Sequence, residues 1–113
     1  MKASRILPVS VLLTLWLSTG PLRAATDPQG EGLRTRLIHD QAYPQVPARC
    51  LFVVKEEQLP EGDIYAARFN PACMGVSSAS SLLDRFLVKG RRIRWVDAAE
   101  PGHYLPYAQF LQR

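Results

Sequence analysis

Two cysteines and two histidines are the whole stock of thiol and imidazole in this chain. Cys73 stands in "NPACMGVSSASSLL", residues 70–83, between a proline turn and a serine run. Three chemistries are open to it. Ahead of a helix start, a thiol gains from free amides and a helix dipole that stabilise its thiolate. Thiol oxidoreductases usually hold both sulfurs in one C-x-x-C, however, and here Cys50 lies 23 positions away. As a nucleophile, Cys73 needs a base and an orienting acid. His103 in "EPGHYLPY", with Asp97 and Glu100 close in sequence, completes a Cys73–His103–Asp97 set, though no family spacing supports it. The third chemistry is a crosslink. An even cysteine count in a small exported chain favours a Cys50–Cys73 bridge. Closing a loop of that length stabilises by about 3 kcal/mol in the chain-entropy account. The bridge is the expectation. A cysteine-dependent enzyme, thiol redox or hydrolase, centred on Cys73 with His103 is the alternative.

Other chemistry finds little support. His39, His103 and the cysteines show no short metal-ligand spacing. No glycine loop that would cradle a phosphate is present, and "GVSSASS" is not a nucleophile elbow. No metal and no cofactor are expected.

The amino terminus supplies the compartment. Lys2 and Arg5 precede the uncharged "ILPVSVLLTLWLST", residues 6–19, and small residues follow at Ala24 and Ala25. Basic, apolar, then small is the pattern of a secretory signal peptide. The apolar run of 14 residues falls short of the ~20 that a spanning helix needs. Residues 1–25 are therefore expected to be a signal peptide, with membrane attachment only through this leader if it stays uncleaved. The mature protein would be periplasmic or secreted. Lys2, Arg5 and Arg23 belong to the leader, so the 14 basic and 10 acidic residues of the chain become 11 and 10 after it. A mature net charge of +1 removes the electrostatic case for nucleic acid.

The 88 residues from Thr26 onward suit one small domain. "TDPQGEG", residues 26–32, reads as a flexible terminus. Residues 33–40 fit either a strand or a helix, because Leu33, Leu37 and Ile38 share a helix face while Leu33, Thr35 and Leu37 alternate. "CLFVVK", residues 50–55, is a continuous apolar run and reads as a central strand buried on both faces. After the turn "LPEGD", residues 64–69 supply a second strand and complete a hairpin. The serine run then predicts a main helix over about 77–89, with Ala79, Leu82, Leu83, Phe86 and Leu87 on one face. Residues 91–97 form a third strand, joined to 64–69 by a helical crossover if the two are parallel neighbours. Residues 104–112 make a short C-terminal helix with Pro106 in its first turn. The fold class is α+β: a small three- or four-stranded sheet with helices on one face, spanning residues 33–113.

Charge is unevenly placed in that frame. Residues 55–63 hold four acids and one lysine, and residues 85–94 hold five bases and no acid. On a strand, Arg92 and Arg94 must face away from Ile93 and Trp95. With Arg91, and with Tyr104 or Tyr107 nearby, they are the candidate partner-binding surface. The same arginines could instead pair with the acids of residues 56–63. The function expected is a small disulfide-stapled binding or accessory protein of the bacterial envelope, with a protein partner in a secretion, pilus or conjugation assembly.

Overall fold

The computed structural model describes residues 27–78 and 80–113. The expected signal peptide lies outside the described residues. Helix α1 (Pro28–His39) leads through a loop to a 3-10 turn (Ala48–Cys50) and strand β1 (Leu51–Leu59). Strand β2 (Gly62–Phe69), the one-turn helix α2 (Pro71–Met74), β3 (Leu82–Lys89), β4 (Arg92–Val96), β5 (Tyr104–Pro106) and helix α3 (Tyr107–Leu111) follow. The five strands lie in chain order, β1-β2-β3-β4-β5, and every neighbouring pair is antiparallel. The protein is α+β, with two helices and a loop on one face of the sheet and none of the described helices on the other.

The class matches the sequence reading, and the hairpin of β1 and β2 stands where it was expected. Four details do not. The sheet has five strands rather than three or four. The segment expected as the main helix is β3, and Ser77, Ser78, Ser80 and Ser81 precede it without regular structure. Phe86 and Val88 point into the core while Leu87 is buried on the opposite face, so the middle of β3 is apolar on both sides and its period of two is hidden. No crossover exists between β2 and β4, because β3 lies between them. The run "CLFVVK" forms the outer edge of the sheet, not its centre.

Helix α1 begins earlier than expected, which converts residues 28–32 from a tail into the first turn and a half of helix. Asp27 is the reason. Its carboxylate accepts from the Gly30 amide at 3.2 Å, and Pro28 follows it at the first helical position, where no amide is needed. Gly30 packs tightly here: a Cβ would approach Asp27 Oδ2 to 2.8 Å and the Tyr65 ring to 3.0 Å. Leu33 and Leu37, each 1% exposed, bury the helix against the sheet. The open question over residues 33–40 resolves as helix to His39, followed by a turn in which Gln41 has φ of 52°.

The core is aromatic at its centre. Phe110 of α3 is fully buried and meets Phe86 edge-on, with ring centroids 5.0 Å apart. Trp95 and Tyr43 also approach the Phe110 ring edge-on, at 5.4 and 5.9 Å. Such pairs add to the area buried, each by ~1 kcal/mol. A short terminal helix thereby closes a sheet face that α1 alone does not cover.

The disulfide is present. Cys50 and Cys73 are bonded, with Cα atoms 5.6 Å apart, and no described cysteine is free. It ties the start of β1 to α2. Asn70 caps α2 by accepting from the Cys73 amide, and donates its own amide to the Cys50 carbonyl at 2.9 Å. The staple therefore spans a site where the backbone already pairs.

Candidate functional site: the open face of the sheet

Alternation along each strand divides the sheet into a helix-covered face and an open one. Tyr65, Ala67, Phe86, Val88, Ile93 and Trp95 face the core. Their neighbours face the other way: Phe52 and Val54 on β1, Ile64, Ala66 and Arg68 on β2, Arg85, Leu87 and Lys89 on β3, and Arg92, Arg94 and Val96 on β4. The register pairs Val96 with Tyr104, which places Tyr104 on this open face too.

The open face has two electrostatic regions. In the first, Glu56 joins Arg85 at 2.6 Å and Arg68 at 3.5 Å. Arg85 foremost, and Arg68 after it, hold the Glu56 carboxyl below its ordinary range against the opposing effect of partial burial. The acidic 55–63 segment and the basic 85–94 segment thus do meet, and among the described residues the ion pair between them is that of Glu56 with Arg85. In the second region, Lys89, Arg92 and Arg94 surround Leu87 and share with Glu61 a shallow hollow of about 190 Å³. Among the described residues, no carboxylate lies within ion-pair distance of Arg92 or Arg94. Among the described residues, the Lys89 ammonium reaches the Pro60 carbonyl, at 3.5 Å.

The residues singled out from sequence are therefore not all together. Arg92, Arg94 and Tyr104 share the open face. Arg91 sits in the β3–β4 turn and lines a groove beside Gln29, Leu33 and Arg36 of α1, on the helix side. Tyr107 is 8% exposed and belongs to the core, away from the open face. Its ring supports the Arg36 guanidinium 4.8 Å from the centroid, and its hydroxyl donates to Asp40. Sequence reasoning missed Arg68, Arg85 and Glu56 as members of the open face. The strand period of β3 would have revealed Arg85, had that segment not been read as helix.

The catalytic set drawn around Cys73 loses its thiol, because that sulfur is bonded to Cys50. Asp97 and His103 do meet, with His103 Nδ1 3.1 Å from Asp97 Oδ2, and the His103 bond foremost holds the Asp97 carboxyl below its usual range. Glu100 lies within 4.8 Å of both, on the exposed loop between β4 and β5. Backbone bonds from Asp97 to the His103 carbonyl and from His103 to the Glu100 carbonyl fold that loop on itself, which accounts for the proximity. No described helix is long and apolar enough to cross a membrane.

No protein-family model, curated protein or solved structure matches the chain.

Proposed function

We propose that the protein is a small exported binding or accessory module of the bacterial envelope, which docks an acidic protein partner through the open face of its sheet. One observation carries the reading: Arg92 and Arg94 stand side by side with Lys89 on that face, and no described acid pairs with either arginine. Arginine at such a place suits an interface, since its planar fork matches carboxylates and its stem packs on apolar surface. Tyr104 adds an aromatic group on the same face. The leader pattern of residues 1–25 and the Cys50–Cys73 staple fit an oxidising compartment outside the cytoplasm.

The test is capture from an envelope extract on immobilised protein, with the bound proteins identified by mass spectrometry. Retained partners should be acidic and should elute with salt. Arg92→Glu combined with Arg94→Glu should abolish their retention and leave the melting temperature nearly unchanged. Undiminished capture by the double variant would end the docking role of this face.

A further inference from the structure

Helix α1 carries two glycines, Gly30 and Gly32. After proline, glycine is the poorest residue for a helix interior, because it leaves the unfolded chain more freedom to lose. Gly30 is required by its neighbours, since a Cβ there would strike Asp27 and the Tyr65 ring. Gly32 is not. A Cβ at that position would meet nothing within 4 Å, and its backbone is ordinary helix. No described residue asks for the missing side chain. A glycine so placed suits a ligand that approaches the backbone closely.

Over Gly32 lies the groove between α1 and the β3–β4 turn, about 370 Å³ in volume. Cavities that hold small molecules run from roughly 300 to 1,000 Å³. Leu33 and Ile93 give this one an apolar floor. Gln29 sets its width: its Oε1 accepts from the Gly90 amide at 2.8 Å, and its Nε2 donates to Asp63 at 2.9 Å. Helix and turn are thereby held at a fixed separation. From Pro28 to Arg36 the groove follows α1 for about 12 Å.

The polar rim has one sign. Arg36 and Arg91 line the groove and no acid does. Arg36 already pairs with Asp40 at 2.6 Å and lies over the Tyr107 ring. Among the described residues, no carboxylate lies within ion-pair distance of Arg91. An apolar trough with an uncompensated guanidinium on its rim complements an apolar chain that ends in an anion.

We propose that this groove binds an aliphatic monocarboxylate of medium chain length, a free fatty acid. Its carboxylate meets the Arg91 guanidinium, and its chain crosses Gly32 above Leu33 and Ile93. The site lies on the helix side of the sheet and is independent of docking on the open face.

Isothermal titration with decanoate, below its critical micelle concentration, tests the site on protein purified after expression of the full chain. One molecule should bind per chain. Octanoate should bind about fivefold more weakly, since two fewer methylenes enter a half-open groove. Octanol keeps that chain length without the charge and should bind at least about tenfold more weakly than octanoate. In nitrogen-15 NMR spectra the Gly32, Gly90 and Arg91 amides should shift and saturate together. Arg91→Gln should weaken decanoate binding by about tenfold. Gly32→Leu should abolish it and raise the melting temperature, because leucine fills the groove and is the better helix former. Arg94→Glu, on the open face, should leave it unchanged. Absence of saturable binding at millimolar decanoate overturns the proposal. So does octanol that binds as well as octanoate, a Gly32→Leu variant that binds like the wild type, or shifts confined to the open face.

Discussion

The Tyr107 hydroxyl donates to Asp40 across 2.8 Å, joining residues 67 positions apart and fastening α3 to the end of α1. Two other tyrosines do the same elsewhere. Tyr65 donates to Asp27 at 2.8 Å, and Tyr43 to Asp84 at 2.8 Å. Each side chain puts an apolar ring in the core and delivers its one polar group to a carboxylate at the margin. Asp84 also accepts from the Trp95 indole at 3.1 Å, so a single acid holds the 40–47 loop against β4.

Tyr107→Phe keeps the ring and removes the donor. The loss should be about 1.5–3 kcal/mol, the range for a bond to a charged group. Urea unfolding should show a lower midpoint at an unchanged slope. An unaltered midpoint would mean that Asp40 is satisfied by Arg36 alone, which it already meets at 2.6 Å.

Acid should destabilise the fold. Asp40 is held below its ordinary 3.8 chiefly by the Tyr107 hydroxyl, while Asp27 stays below 3.8 because Tyr65, the Gly30 amide and Lys55 together outweigh the upward push of burial. Glu56 is likewise held below 4.5. Folded values under the unfolded ones give stability that is present above the ordinary carboxylate values and is lost as pH falls through the depressed ones. A melting temperature flat from neutrality to about pH 5 and falling steadily below it is the expected profile. A constant melting temperature down to pH 2 would contradict it.

Alkali should act through the tyrosines. Burial foremost pushes Tyr65 from 10.0 up to about 12, and pushes Tyr43 and Tyr107 upward as well. A raised folded value gives stability that is complete below the unfolded value and lost as pH rises from 10 through about 12. Tyrosinate absorbance followed with pH should show Tyr43, Tyr65 and Tyr107 ionising only together with loss of structure. Ionisation of Tyr43, Tyr65 and Tyr107 in the folded protein near pH 10 would refute the arrangement.

Cys50→Ala and Cys73→Ala should each cost about 3 kcal/mol, and the double variant no more than the worse of the two, because each change opens the same loop. Additive losses in denaturant would show that the sulfurs act separately. Thiol titration of the oxidised wild type should detect no free sulfhydryl.

Gly62→Ala should destabilise by about 1–3 kcal/mol. Gly62 closes the β1–β2 turn with φ of 145°, and a Cβ there would come within 2.8 Å of the Val88 carbonyl oxygen. Neither the backbone angle nor that neighbour can yield cheaply. A melting temperature equal to that of the wild type would show that the turn relaxes.

The local signals were readable where one principle spoke alone. Arg92-Ile93-Arg94-Trp95 alternates cleanly because only one side of β4 enters the core. The turn chemistry of Pro60 and Gly62 fixed the first hairpin. Reading failed where two patterns coincide: Leu82, Leu83, Phe86 and Leu87 satisfy a helix face and a doubly buried strand equally well. At the amino end the Asp27-Pro28 cap signal was present, but Gly30 and Gly32 argued for a loop, and only the Tyr65 ring pressed on Gly30 explains the first glycine. The open face was half legible. Its arginines on β4 followed from alternation, whereas Tyr107 was misplaced because nothing local says that its hydroxyl has a distant acid to reach.

The chain-order sheet also shapes how the molecule forms. Each strand pairs with the next along the chain, so most of the backbone ladder closes over short loops and little entropy is lost before the contacts repay it. The turns at Pro60–Glu61 and Gly90–Arg91 can each initiate pairing independently. The distant closures are those of the end helices, Asp27 to Tyr65 and Asp40 to Tyr107. A folding transition state built from the β1–β2–β3 meander, with α1 and α3 docking after the barrier, follows from that topology. Substitutions in the helices, Leu37→Ala or Phe110→Leu, would then accelerate unfolding and leave the refolding rate almost untouched.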